Sequence, residues 1–215
     1  MSSDLVEITL LSLAVSGAAT LISLLIGLPI GTWLALSRFR SRHLVLSVVN
    51  TGMALPPVVA GLFIALLLWR SGILGGLGLM YTPGAMVIAE VVIAAPIVMG
   101  LTVAALGQLD PRLQLQLQGL GASRRQTVWW LWREARLPLL AAVMAAFGSV
   151  ISEVGAAMMV GGNIAHETRV LTTAIVLETG RGEFGNAIVL GLVLLALAFI
   201  VNGVLTWAQQ RGPRR

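Results

Sequence analysis

The stretch Leu113-Gln-Leu-Gln-Leu-Gln-Gly-Leu-Gly-Ala-Ser-Arg-Arg-Gln-Thr-Val-Trp-Trp-Leu-Trp-Arg-Glu-Ala-Arg-Leu-Pro138 is the longest polar interruption in an otherwise apolar chain. Gly119 and Gly121 break it in the middle. Ser123 with Gln126 three residues later has the spacing of a capping box, so a second helix is expected to start there. Val128, Leu131, Trp132 and Ala135 recur at helical spacing on one face, and Arg124, Arg125, Arg133 and Arg136 occupy the rest. Leu137-Pro138 ends that helix or redirects it. The reading is helix, glycine turn, helix, lying at a membrane surface. An amphipathic interfacial segment with a tryptophan belt satisfies the same pattern, and at this point both stand.

On either side of this stretch the chain is a series of membrane spans. About 20 mostly apolar residues cross the hydrocarbon core. Five stretches qualify, at roughly 8–36, 44–69, 83–106, 138–160 and 184–208, with Pro56-Pro57 interrupting the second. The first is too long for a signal peptide and has no positive region before it. Between the spans lie 107–137 and a semi-polar segment at 161–183; loops of that length usually have a role. Alternating the sides places eleven Arg on one face (38, 40, 42, 112, 124, 125, 133, 136, 211, 214, 215) and three on the other (70, 169, 181). Positive residues mark the cytoplasmic side. The expected topology has the N-terminus outside and the C-terminus inside, with 107–137 cytoplasmic and 161–183 outside.

Composition agrees and narrows the chemistry. The 215 residues are 57% hydrophobic and 11% charged, against about 25% charged in soluble domains. Cysteine is absent, which excludes thiol catalysis, disulfides and thiolate metal sites. All 14 basic residues are Arg. Without Lys there is neither a Walker A loop nor Schiff-base chemistry. The high pI of about 11.4 comes from Arg placed between apolar runs and reads as a topology signal, not as a nucleic-acid surface. The two His, His43 and His166, fall on opposite sides of the membrane, so no catalytic or metal set is expected. Two carboxylates, Glu90 and Glu153, lie inside spans, each about 10 Å below the outer surface by helical rise. For each the choice is between a structural polar contact and a gate or helix-pinning site.

Gly121-Ala-Ser123 followed by Leu137-Pro138 resembles the EAA loop of ABC importer permeases. The E-A-A positions fall on Leu115, Gln116 and Leu117, so this chain lacks the loop's acidic residue. Phe147-Gly-Ser-Val-Ile-Ser-Glu153-Val-Gly-Ala-Ala-Met-Met-Val-Gly161-Gly-Asn163 is similar to a segment of sulfate, molybdate and tungstate permeases. Its continuation, Thr168-Arg-Val-Leu-Thr-Thr-Ala-Ile-Val-Leu-Glu178-Thr-Gly180, looks most like the tungstate branch. Ala54-Leu-Pro-Pro57 extends the likeness into the second span.

This resemblance implies an all-α, type I permease fold forming one domain over 1–215. It also implies a homodimer that encloses the pathway in the bacterial inner membrane. Partners would be a dimeric ATP-binding subunit, which would carry ATP and Mg, and an extracytoplasmic oxyanion-binding protein. No cofactor is expected on this chain. The coupling residues implied are Leu115, Gln116, Leu117, Leu120, Gly121, Ala122 and Ser123. Small hydroxyls, amides and backbone N–H groups suit a site that must release an anion. Ser149, Ser152, Asn163, Thr168, Thr172 and Thr173 are the candidates, with Glu153 as a gate candidate. Tungstate is the expected cargo. Molybdate, sulfate and a non-transport membrane scaffold are the alternatives.

Overall fold

The computed structural model describes residues 2–210, and those residues contain helices and no strands. Arg211, Arg214 and Arg215, counted above toward the basic face, lie outside the described residues. Ten α-helices follow one another: α1 Ser2–Leu36, α2 Arg42–Met53, α3 Pro57–Leu68, α4 Pro83–Gly107, α5 Pro111–Gly119, α6 Arg124–Glu134, α7 Arg136–Ile151, α8 Gly155–Gly161, α9 Leu171–Gly180 and α10 Phe184–Gln210. Three helices are long and apolar enough to cross a membrane alone: α1, α4 and α10. Counting each of two bent pairs as one span gives five.

The first bent pair is α2–α3, which turns by 100°. Pro56 and Pro57 carry no N–H, so the helix cannot continue through them. Instead Ala54 N donates to Thr51 O and Leu55 N to Gly52 O, tightening the last turn before the break. Pro57 then opens α3 at a position where its missing N–H costs nothing. The second bent pair is α6–α7, which turns by 75° at Ala135. Pro138 removes the donor that Glu134 O would use, so the chain bends three residues ahead of the proline.

Two stretches differ from the expectation. The apolar run 138–160 is not one helix: α7 stops at Ile151, and α8 starts at Gly155. Side-chain oxygens support that break. Glu153 Oε1 accepts from Ala156 N at 3.0 Å, and Thr172 Oγ1 donates to Glu153 O at 2.8 Å. Segment 161–183, expected as an outer loop, is loop only in part. It contains α9, whose Leu171, Thr172, Thr173 and Ala174 are buried. Its first N–H groups find partners inside the protein: Leu171 N donates to Ser12 Oγ on α1 at 2.8 Å, and Val170 N to Thr173 Oγ1 at 3.1 Å. A helix start can sit at depth only when its free donors are paired in this way.

Helices α1 and α4 form the centre. Gly27 and Gly31 of α1 lie so close to Val98 and Thr102 of α4 that a Cβ on either would come within 2.7 Å. Lipid supplies no hydrophobic drive between helices, so such small-residue contacts hold them by packing. Around this pair, Val15 of α1 joins Ala60, Ile64 and Leu68 of α3, Ala85, Met86 and Ala89 of α4, and Ala156, Ala157 and Val160 of α8. Helix α10 rests on Phe147, Ile151, Leu171 and Ala174 through Leu190 and Leu197, with Val193, Leu194 and Val201 packed alongside, and exposes Phe199, Leu195, Ile188 and Leu192 on its other side.

His166 Nδ1 meets Glu7 Oε2 at 2.9 Å, tying the loop before α9 to α1. The hydrogen bond and charge of Glu7 raise the His166 pKa above its usual value; Asp4 adds to this and Arg169 opposes it. A raised folded-state pKa means the contact is complete below the unfolded His value of 6.5 and weakens as pH rises through the folded value. Hydrogen exchange of segment 163–168, corrected for intrinsic rates, is therefore expected to quicken across that rise, and His166→Ala to abolish the dependence.

Gly61 of α3 faces α8, where a Cβ would stand 2.6 Å from Ala156 Cα. Since backbone would have to move, Gly61→Val is expected to cost ~1–3 kcal/mol and lower the thermal midpoint in detergent by several degrees. Gly17→Ala, with nothing within 4 Å of its Cβ, should leave the midpoint unchanged or raise it.

Candidate functional site

The polar stretch at 107–137 folds into α5 and α6, with a four-residue turn between them. The turn is defined at both ends by hydrogen bonds. Helix α5 stops in a Schellman motif: Gly121 N donates to Gln118 O and Ala122 N to Leu117 O, each at 3.0 Å, with Gly121 at φ +81°. Helix α6 starts with a reciprocal capping box, Gln126 N to Ser123 Oγ at 3.4 Å and Ser123 N to Gln126 Oε1 at 2.8 Å. Sequence, stop and start thus occupy Leu120 to Ser123 with no slack residue.

The two faces of this unit differ. Leu131 of α6 and Ala135 at the α6–α7 bend are buried with Ala105 and Leu106 of α4, and Ala35 and Leu36 of α1 pack alongside. Trp132 Nε1 donates to Thr32 Oγ1 of α1 at 2.8 Å. A displacement of the turn is therefore carried to the ends of two long helices. The other face is bare: Leu120 is 85% exposed and Leu115 67%. Gln116, Gly121 and Ser123 are also exposed, while Leu117 and Ala122 are half-buried. Leu120 on the turn and Leu115 on α5 are thus exposed apolar side chains in an otherwise polar segment.

The pathway candidates separate into two groups. Ser149 is half-buried and Ser152 exposed, both at the α7–α8 break; Ser152 Oγ donates to Gly148 O at 2.7 Å. Half-buried Glu153 caps α8, and Thr172 is spent on Glu153 O. The others hold the outer segment together. Thr168 Oγ1, fully buried, donates to Gly161 O at 2.5 Å and accepts from Ile164 N at 3.0 Å. Thr173 caps α9. Asn163, at φ +53°, accepts Arg169 Nε at 3.2 Å and Arg169 Nη2 at 3.3 Å on its backbone oxygen. Glu90 is 3% exposed, its Oε2 has no partner among the described residues, and it lies within electrostatic reach of Glu153. No group of three His, Asp or Glu side chains able to hold a metal occurs among the described residues.

The sequence reading missed Asn50 and Thr51. They are exposed at the end of α2, just ahead of the α2–α3 break, with Ala54 and Pro56 exposed in the break itself. This break and the one at 152–154 are neighbours, because α3 and α8 touch through Gly61 and Ala156 and through Val58 and Gly155. The only sequence signal was Asn-Thr just before Ala54-Leu-Pro-Pro57. Non-helical backbone at membrane depth persists only when protein covers it or when it lines a water-filled cavity. This chain leaves both breaks partly uncovered.

Gly121 has no neighbour within 4 Å of a Cβ, so the constraint there is its left-handed backbone and not space. Gly121→Pro or Gly121→Val is expected to abolish coupled uptake while membrane insertion stays intact, and Gly121→Asn, which tolerates this conformation, to retain most of it. Uptake in cells beside quantified membrane-fraction protein distinguishes these outcomes.

Residues 27–212 match the family described as binding-protein-dependent transport system inner membrane component. A probable anion ABC transporter permease of Haloferax volcanii is 38% identical over 98% of this chain and 93% of its own length. A tungstate uptake system permease protein of Peptoclostridium acidaminophilum is 38% identical over 94% of this chain and 89% of its own. The molybdenum transport system permease protein of Escherichia coli K12 is 29% identical over 94% and 92%. Among solved structures, the inward-facing MetNI methionine ABC transporter superposes with a TM-score of 0.75 at 23% identity, covering 98% of this chain and 95% of that one, which shows the fold. Such permeases are not themselves enzymes, and ATP hydrolysis resides in a partner subunit. With its family match running from the end of α1 to the last helix, the chain belongs to the inner-membrane permease subunits of binding-protein-dependent ABC transporters.

Proposed function

We propose that the chain is the permease subunit of a tungstate importer, working as a homodimer. The observation that carries the coupling half of this reading is the turn at Leu120–Ser123: rigid by its hydrogen bonds, bare on its leucine face, and packed on α1 and α4 through the other face. Leu115, Gln116, Leu117, Leu120, Gly121, Ala122 and Ser123 meet the ATP-binding subunit there. The cargo half rests on the tungstate and anion permeases among the relatives.

The mechanism follows from two states. Closure of the ATP-binding dimer moves the turn, and the α1–α4 pair carries that motion into the membrane. Such a switch needs contacts that differ between the states, and the turn is where the partner supplies them. The second copy covers the two exposed breaks, and the pathway runs between the copies. Ser149, Asn50 and Thr51 offer hydroxyl and amide donors to a passing oxyanion, Ser152 does so when its hydroxyl turns away from Gly148 O, and Glu153 at the α7–α8 break is the gate element. An extracytoplasmic oxyanion-binding protein delivers the cargo to the outer face around Asn163 and α9, with the N-terminus outside and the C-terminus in the cytoplasm. Arg38, Arg40, Arg42, Arg112, Arg124, Arg125, Arg133 and Arg136 then lie inside.

The test has two arms. The solubilised chain is recovered from its native membrane and its companions are identified by mass spectrometry; an ATP-binding subunit in equal amount is expected. Reconstituted with that subunit and the binding protein in liposomes, it is expected to accumulate tungstate with ATP, measured by elemental analysis, and molybdate and sulfate less. Preference for molybdate or sulfate would reassign the cargo, and absence of any ATP-binding subunit would remove the coupling assignment.

A further inference from the structure

A cleft of about 860 Å³ opens between the last two turns of α1 and the α5–α6 unit. Its volume falls within the ~300–1,000 Å³ range of ligand sites. Its two walls have opposite chemistry. Pro29, Trp33 and Leu36 of α1 form an apolar wall at the end of a membrane-spanning helix. Gln114, Arg124 and Arg125 form a polar and cationic wall on α5 and α6. Neither arginine is in an ion pair among the described residues. The floor is held in place by the hydrogen bond from Trp132 to Thr32. More positive charge stands nearby: Arg42 Nε donates to Leu34 O, which holds that guanidinium against the end of α1.

We propose that this cleft binds an anionic phospholipid of the inner leaflet. The phosphate sits between Arg124 and Arg125 with Gln114 as a further donor, and the acyl chains lie along Pro29, Trp33 and Leu36. The mixed walls select this occupant. A free phosphate or oxyanion has no use for an apolar wall at membrane depth, and of the residues assigned to the ATP-binding subunit Ala122 alone lines the cleft, while the bare Leu115 and Leu120 do not. Basic pockets beside transmembrane helices on the cytoplasmic side are suited to anionic headgroups. A lipid seated here braces α5–α6 against α1, on the route by which the turn moves the spans. The inference rests on the proposed placement of α5–α6 at the inner leaflet.

Lipid retention by the purified full chain tests it without any transport readout. The protein is exchanged into nanodiscs of mixed phosphatidylglycerol and phosphatidylcholine, re-solubilised, mildly delipidated and weighed by native mass spectrometry. Wild type is expected to retain one phosphatidylglycerol per chain in preference to phosphatidylcholine. The double variant Arg124→Gln, Arg125→Gln should lose that preference by about tenfold or more. Arg124→Lys with Arg125→Lys should keep most of it, and Arg38→Gln, outside the cleft, all of it. Equal loss in the Arg38 variant would reduce the effect to general surface charge and overturn the site. Displacement of the lipid by millimolar inorganic phosphate or tungstate would make it a free-anion site instead, and displacement by added ATP-binding subunit would make it a protein contact. A failed tungstate assay leaves this readout untouched, so the two proposals fall separately.

Discussion

In hydrocarbon no water is available to a backbone N–H or C=O, so every departure from the helix must be repaired by the protein itself. This chain departs from the helix repeatedly: at the α2–α3 break backbone bonds tighten the last turn, and around α8 and α9 side-chain oxygens make the repair. Glu153 receives the N–H of Ala156 where α8 begins, and Thr172 bonds the carbonyl of Glu153. Ser12 receives Leu171 N at the start of α9, and Thr168 closes the turn that follows Gly161. On α1, Thr9, Ser12 and Thr20 return their hydroxyl protons to carbonyls four residues back. The hydroxyl-bearing residues that look like ligand donors in a linear reading are, for the most part, the fasteners that let a membrane chain bend.

What these repairs make possible is a bundle with two bends on one side and an unbroken centre. The α1–α4 pair meets glycine against side chain along Gly27 and Gly31, so it transmits displacement without internal slack. The α5–α6 unit sits on one end of that pair through Leu131, Ala135 and the Trp132–Thr32 hydrogen bond. In the mechanism we propose, motion at the turn reaches the membrane through these two packed helices, and the breaks at 54–56 and 152–154, which lie beside each other, face the pathway. In segment 161–183, α9 inserts between α1, α10 and the α7–α8 break instead of lying on the surface.

The long apolar stretches, the arginine asymmetry, the proline break in the second span and the Ser123–Gln126 cap were all legible from the chain, because each depends on residues close in sequence. So was the glycine turn, since the left-handed backbone at Gly121, φ +81°, strongly favours glycine. The break inside 138–160 was not legible. Nothing between Phe147 and Val160 is a strong helix breaker, and the interruption is stabilised by Thr172, nineteen residues away. Helix α9 was read as loop because its stability comes from burial against α1 and α10, which no local pattern announces. Asn50 and Thr51 were passed over for a similar reason: on an isolated span they are ordinary polar residues, and only the contact of α3 with α8 sets the break that follows them next to the α7–α8 break.

By itself, then, the sequence determined that this is a helical membrane protein with a capped, glycine-broken turn between its third and fourth apolar stretches. Hydrophobic length, charge bias and local backbone chemistry are properties of neighbouring residues. The tertiary structure alone decided which hydroxyls are fasteners and which are free, where the fourth stretch breaks, and that the turn bears on α1 and α4. Those outcomes depend on which buried backbone groups find a partner from a distant helix, and that is settled only when the helices pack.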